Sequence, residues 1–285
     1  MNIHILPKYH RDNFPGTLES THISSDFLWD NKESLFFANG KGAIHYLINK
    51  YGLNREDEVC IITSTNSNYV STCVTGTIFN YAKISRVITD KTKMLYVIHE
   101  FGLPHPEIRN YVQLSRERKI PLVEDCAHSM DSTIDGDRIG TLGDYAIYSL
   151  AKIFPVDGGG LLVGKELQNS EYFNEAVDVC VRQQFKDHFQ YLTALSIKRK
   201  DNFKLIRQAF NNYPTVFEFN ESITPYFVIF VTEKYQYLYE ELKDTGIEWG
   251  LTHVKNWFCV PTQPLMSNTQ LKHLVAVLKG AFSEK

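Results

Sequence analysis

What this sequence lacks removes several classes of function. No stretch of about eighteen apolar residues, the least that a membrane-spanning helix needs, occurs in it. The amino-terminal Met1-Asn2-Ile3-His4-Ile5-Leu6-Pro7 has neither the longer apolar region nor the small-residue cleavage site of a secretory signal, so a cytoplasmic location is expected. Charge of one sign is not in excess: 30 Lys and Arg stand against 33 Asp and Glu, mixed along the chain, for a net charge of −3. No electrostatic footprint for nucleic acid follows, and Lys198-Arg199-Lys200, too short to supply one, reads as a solvated helix face. The cysteines Cys60, Cys73, Cys126, Cys180 and Cys259 never fall in C-x-x-C spacing and read as reduced and mostly buried. His99-Glu100 with His105 fails as a zinc motif because Pro104 lies in the interval and the second histidine is not one helical turn on; these read as turn and loop histidines, and no metal is expected. Internal repeats and low-complexity tracts are missing too.

What is present is an alternation. With 285 residues, 43% of them hydrophobic, the chain can bury one large domain and a smaller one. Ala43 to Tyr51 reads as a helix closed by Gly52, Glu58 to Ile62 as a buried strand, Val70 to Phe79 as a helix, and Lys93 to His99 as a strand. An amphipathic helix, Glu107 to Arg118, leads directly into the strand Ile120 to Glu124. This spacing predicts a mainly parallel sheet covered by helices with right-handed crossovers. After Gly164 the pattern changes: Glu171 to Phe210 is helix-compatible up to Pro214. A compact α+β unit then follows, with a strand at Phe227 to Val231, a helix at Glu233 to Thr245, an extended stretch at Gly246-Ile247 and a helix at Thr269 to Phe282. The expected division is 1–185 for the large α/β domain, 186–212 for a linking helix and 213–285 for the small domain.

Three short segments carry chemistry. "VEDCAHSMDS" closes an apolar strand with two acids, at the end of a parallel sheet where ligands bind. Successive side chains on a strand alternate, so only one acid can face a site, and Asp125 is the better candidate. "GDYAIYSLAKIFPVDGGGLLVG" places Lys152 at the end of an apolar strand, where a lysine loses its proton more readily and suits a Schiff base; Gly158 to Gly160 allow a tight return. "FFANGKGAIHYLI" sets Gly40, Lys41 and Gly42 at a helix start, where free N–H groups and the helix dipole favour phosphate. Each has a plainer alternative: an acid that caps the next segment, a hairpin turn, a glycine turn that binds no anion. Together, a phosphate cradle, a strand-end carboxylate and a lysine match what pyridoxal phosphate requires.

The stretch Ile120 to Gly164 resembles sugar aminotransferases of the DegT/StrS type, which have the aspartate-aminotransferase fold. The matching motifs are Glu124-Asp125-Cys126-Ala127-His128, then Gly143-Asp144-Tyr145-Ala146-Ile147-Tyr148-Ser149, Lys152 and Gly159-Gly160. "NGKGAI", "DEVCII", "VIHEFG", "TGIEWG" and "PTQPLMS" extend the resemblance more weakly.

The resemblance implies a pyridoxal 5'-phosphate enzyme, a homodimer, that moves an amino group from an amino acid, glutamate in most relatives, to a keto sugar, nucleotide-linked, for amino-sugar synthesis. Lys152 would hold the cofactor and shuttle the proton, Asp125 would pair with the ring nitrogen, and His128 would contact the ring or its phenolic oxygen. Ser149 and Gly40 to Gly42 would hold the phosphate, and Tyr69 would stack on the ring. The residues alone also allow Ser149 as a strand hydroxyl, Tyr69 as a core aromatic and His128 as a loop cap. Lys41 stands where the family has a hydroxyl, and the chain is shorter than typical members. Two other readings stay open: a non-catalytic relative that binds a sugar nucleotide or a partner protein, and an enzyme of this fold acting on a small amino acid.

Overall fold

The structure, a computed structural model, describes residues 2–7, 18, 32–168, 173–251 and 254–283. In chain order its elements are β1 (Glu33–Phe37), α1 (Gly40–Lys50), β2 (Glu58–Thr63), α2 (Thr72–Phe79), β3 (Lys83–Ser85), β4 (Thr92–Ile98), α3 (Ile108–Arg118) and β5 (Leu122–Asp125). A small hairpin of β6 (Thr133–Ile134) and β7 (Asp137–Arg138) follows, then β8 (Tyr145–Ser149), α4 (Leu150–Ile153), β9 (Gly160–Gly164), α5 (Glu175–Phe189) and α6 (Leu192–Ala209). The chain closes with β10 (Phe227–Val231), α7 (Tyr235–Leu242), β11 (Trp257–Pro261) and α8 (Asn268–Ser283).

Seven strands form one sheet in the order β1-β9-β8-β5-β4-β2-β3. β9 runs antiparallel to both neighbours, while the pairs from β8 through β5, β4 and β2 to β3 are parallel, as expected. The central strands read as unbroken apolar runs because both of their faces are covered. α1 and α2 pack on the face that carries Tyr96, Val123 and Ile147. α3 covers the other face at Leu95, Val97 and Leu122, with α5 beside it over Phe36, Ala146 and Val163.

Local causes explain where the structure departs from the sequence reading. The strand expected through Leu150 ends at Ser149: Leu150 N–H still meets the carbonyl of Gly159, but its own carbonyl accepts Phe154 N–H as the chain winds into the single turn α4. Lys152 therefore sits on that turn rather than at a strand end. The helical stretch expected from Glu171 to Phe210 is two helices interrupted at Gln190 and Tyr191, with 171 and 172 outside the described residues. Val181, Phe185 and Phe189 of α5 lie on the large sheet, where Leu192 and Leu195 at the start of α6 join them, whereas Phe203 and Ile206 further along α6 lie in the C-terminal cluster.

That second cluster gathers α6, α7 and α8 around the antiparallel pair β10 and β11. Ile3, expected with the first 185 residues, is buried in it and bridges in parallel to Ile247. The amino-terminal segment is thereby drawn across the chain toward the carboxyl ends of the large sheet. All five cysteines are free, and Cys60, Cys126 and Cys259 are buried. Among the described residues no helix is long and apolar enough to cross a membrane.

Candidate active site

β5 ends in two buried acids that the strand alternation sends to opposite faces. Asp125 lies on the α1 side with Tyr96 and Ile147. Its Oδ2 accepts the Tyr96 hydroxyl at 2.9 Å and its Oδ1 accepts Ala127 N–H at 3.0 Å. Burial, reinforced by the Asp125 charge, pushes the Tyr96 phenol well above its ordinary range, so it stays a donor. Glu124 faces the other way and accepts four hydrogen bonds, from Gly140, Leu142 and Gly143 N–H and from His99 Nε2. Burial alone would raise this carboxyl, but His99 and the backbone donors overcome it and hold it below the usual range. Asp144 completes the turn by accepting Leu122 N–H at 2.8 Å. Glu124 and the Gly143-Asp144 pair therefore build the loop that returns the chain to β8.

β8 runs parallel to β5, with Ile147 beside Asp125. By the same alternation Ser149 emerges on the Asp125 face, and Lys152, one helical turn later, points the same way. Its Nζ lies 3.1 Å from His128 Nε2. Phe101 N–H donates to His128 Nδ1 at 3.2 Å, which assigns the ring proton to Nε2 and makes the lysine amine the acceptor. Two shifts agree with that assignment. Burial lowers Lys152, partly opposed by Asp125 and Cys73, and burial with the charges of Lys152 and Arg199 puts His128 well below its ordinary value. Phe101 has φ +57°, strained for a residue with a side chain, and this turn aims its N–H at the imidazole.

The anion end is the start of α1. Asn39 caps the helix, its Oδ1 accepting Gly42 N–H at 3.3 Å. The first N–H groups of a helix have no intrahelical partner, which leaves those of Gly40 and Lys41 at the cavity wall. Gly42 is set back from that wall: its N–H goes to Asn39, and a Cβ there would stand 3.0 Å from Phe37, so its smallness serves packing. Gly160 lies so close to Asn39 and Gly40 that any side chain would strike their backbone, and Gly159 takes φ +112°. The two glycines set the α1 turn against β9.

Gly40, Lys41, Tyr69, Asp125, His128, Ser149 and Lys152 all line one cavity of about 480 Å³ at the carboxyl ends of β4, β5 and β8. Seven of the eight site residues expected from the sequence thus converge. The sequence reading did not single out Tyr96, Glu100, Tyr226 or Glu248, which share this wall. Glu100 accepts from Thr65 and from Ser67 Oγ, and burial raises its carboxyl. Glu248 accepts Ile5 N–H at 2.9 Å, so Ile5 and Leu6 become part of the lining. His99 and His105, expected in turns and loops, are there but fully covered.

A cavity lined by helix N–H groups, by a lysine amine whose proton burial loosens and by a buried carboxylate agrees with the comparisons with known proteins. Residues 25–177 match the model of the DegT/DnrJ/EryC1/StrS aminotransferase family. GDP-perosamine synthase of Vibrio cholerae is 28% identical over 166 residues, covering 53% of this chain and 43% of the synthase. The Escherichia coli O157:H7 protein of the same name is 29% identical over 174 residues, covering 51% and 47%. The matched region thus spans under half of each synthase. The aminotransferase TlmJ of Streptoalloteichus hindustanus superimposes with a TM-score of 0.71 at 16% identity, over 89% of this chain and 86% of TlmJ, which shows the shared fold. With more than half of its residues inside that family model, the chain belongs to the DegT/DnrJ/EryC1/StrS aminotransferase family.

Proposed function

We propose that the protein is a pyridoxal-phosphate-dependent aminotransferase that moves an amino group from an amino acid, glutamate by family resemblance, to a nucleotide-linked keto sugar. The observation that carries this reading is the Lys152 amine, half-buried and hydrogen-bonded by neutral His128, in the same cavity as Asp125. A neutral amine is the form that condenses with an aldehyde. The sugar half of the reading is supported by the names of the perosamine synthases.

The donor set fits the cofactor. The Gly40 and Lys41 N–H groups, the Lys41 ammonium and the Ser149 hydroxyl, which caps no helix N–H, suit a phosphate. Asp125, with each oxygen holding one donor and a lone pair left, suits a protonated ring nitrogen. Tyr69 would cover a ring face. Bound there, pyridoxal phosphate would supply an electron sink that acidifies the α-carbon proton of an amino acid.

The chain's own residues do the rest. Lys152 Nζ is the base: it takes a proton as an amine and returns it as an ammonium. His128 Nε2–H orients the lone pair of that amine. Tyr96 O–H and Ala127 N–H each donate to one oxygen of Asp125 and orient its carboxyl group, whose remaining lone pairs would meet the ring nitrogen. Ile5, Leu6 and Phe101 exclude water from that side of the cavity. A cytoplasmic homodimer is the setting this reading assigns. Phe79, 60% exposed at the end of α2, offers apolar surface for a partner copy, and light scattering of the purified protein tests the dimer.

The direct test incubates cofactor-loaded protein with glutamate, then with a panel of nucleotide-linked and free keto deoxysugars, and seeks an amino sugar by mass. Amino-group transfer to a nucleotide-linked sugar supports the reading. Visible absorbance that bleaches with amino acids and never returns with a keto sugar moves the assignment to a small-molecule aminotransferase.

A further inference from the structure

Lys198-Arg199-Lys200 was expected on a solvated helix face, yet Arg199 is 3% exposed. It lies on the buried stripe of α6 with Leu195, Ser196, Asn202, Phe203 and Ile206, the 3.6-residue period of a helix facing the protein interior. A buried guanidinium is costly unless its donors are used, and no carboxylate among the described residues forms an ion pair with it. Its donors go elsewhere. Nη2 donates to the main-chain carbonyl of Lys152 at 2.8 Å and Nη1 to Thr262 Oγ1 at 3.5 Å. The guanidinium carbon lies 4.7 Å from the ring centroid of Tyr226. One turn on, Asn202 Nδ2 donates to the Gln263 carbonyl at 2.8 Å, which fixes this stretch of α6 on the segment after β11.

Those contacts close a ring around the reactive lysine. The Tyr226 ring centroid is 4.7 Å from that of His128, whose Nε2 meets Lys152 Nζ. Lys152 is therefore held at both ends: its carbonyl by Arg199 directly, its amine by an imidazole packed on the ring that Arg199 covers. The need is local. α4 is four residues long, a single turn with little stability of its own, and its last carbonyls have no intrahelical partner.

We propose that Arg199 is a positioning residue for Lys152, fixing the α4 turn and the His128 imidazole so that the amine stays in the cavity with its lone pair directed. This rests on the reading of Lys152 as the reactive amine. Without the guanidinium, α4 loosens and Nζ reaches water, where the ammonium is favoured. Asp125 on β5, Cys73 on α2 and His128 after β5 face the amine, while Lys41, Tyr69, Glu100 and Glu248 line the rest of the cavity. An Arg199 variant replaces none of these side chains; Arg199→Gln frees the His128 imidazole and removes the guanidinium charge that acts on it, whereas Arg199→Lys keeps a positive charge there.

The test needs no cofactor. Trace labelling with acetic anhydride across pH, read at the Lys152 peptide by mass spectrometry, gives the titration midpoint of that amine in wild type, Arg199→Gln and Arg199→Lys. The expected result is a midpoint at least about one pH unit higher in Arg199→Gln, so roughly tenfold less neutral amine at pH 7. Arg199→Lys should shift less, since an ammonium still reaches the carbonyl although it cannot copy the flat stack. Phe203→Leu, in the same helix, should lower the melting temperature and leave the midpoint in place. An unmoved midpoint in Arg199→Gln makes Arg199 a packing residue and overturns the proposal. If that variant does not fold, Tyr226→Leu takes its place: an upward shift supports the link and none breaks it. Failure of wild type to form a cofactor adduct counts against the proposed function instead, because the labelling reads the amine by itself.

Discussion

Glu124 and Asp125 are neighbours in sequence, both buried, on one strand, and they face different regions with different duties. On the Glu124 side every oxygen is taken: three backbone N–H groups and an imidazole converge on it, and the result is a fixed loop from Gly140 to Gly143. On the Asp125 side each oxygen has one donor, and a cavity lies in front. A fully satisfied acid holds structure, whereas a partly satisfied one beside a cavity can still take a ligand. The side of the strand, and not the acid, assigns the role.

The largest effect should come from the cavity side. Lys152→Ala is expected to remove transamination entirely and leave the unfolding midpoint in urea close to wild type, since the side chain is half-buried and its carbonyl contact to Arg199 persists. A variant that retains substantial turnover would transfer the chemistry to another residue.

Glu124→Gln breaks the other side. An amide in place of the carboxylate sets an NH₂ group against N–H donors, and disrupting a buried charged network of this kind costs about 3–5 kcal/mol. Urea unfolding should show that loss, and a loss under about 1 kcal/mol would mean that water replaces the lost partners.

pH divides the sides further. His105, whose N–H donates to His99 Nδ1, is lowered by burial from 6.5 to about 4, with the His99 charge adding to the shift. Between those values the unfolded chain binds the proton and the folded chain does not, so stability falls as pH drops from 6.5 to about 4, by about 3 kcal/mol in total. Glu124, held below its ordinary value, loses its contribution in a lower window, as pH falls under 4.5. Unfolding curves between pH 7 and pH 4 for wild type and His105→Gln check this, and the variant should show the shallower decline.

The smallest change expected in the fold is Asp125→Asn. It should keep stability within about 1.5 kcal/mol, since an amide oxygen can still accept one of the two donors. Cofactor affinity should fall at least tenfold, or about 1.4 kcal/mol. Equal losses of stability in Asp125→Asn and Glu124→Gln would erase the contrast between the two faces.

Much of the cavity was legible because its residues lie at strand ends and helix starts, where local rules operate. Alternation along β5 singled out Asp125, and an apolar strand followed by a lysine singled out Lys152. Gly42, expected in the phosphate turn, lies off the cavity wall, and a glycine at a helix start looks alike in sequence whether it meets an anion or packs under Phe37. Arg199 was missed because three consecutive cations suggest solvent, although Leu195, Asn202, Phe203 and Ile206 mark one stripe that includes it. Ile5 and Leu6 join Glu248 at the site through the Ile3–Ile247 bridge and the Ile5–Glu248 hydrogen bond, pairings across almost the whole chain that no local pattern announces.

The central claim is that Lys152 is the amine that holds pyridoxal phosphate. The measurement is reduction of the cofactor-treated wild-type protein with borohydride, followed by peptide mapping by mass. The account predicts a reduced pyridoxyl adduct on Lys152, formed with a pH midpoint below the ordinary lysine value of 10.5. No adduct, or one on another lysine, would contradict it.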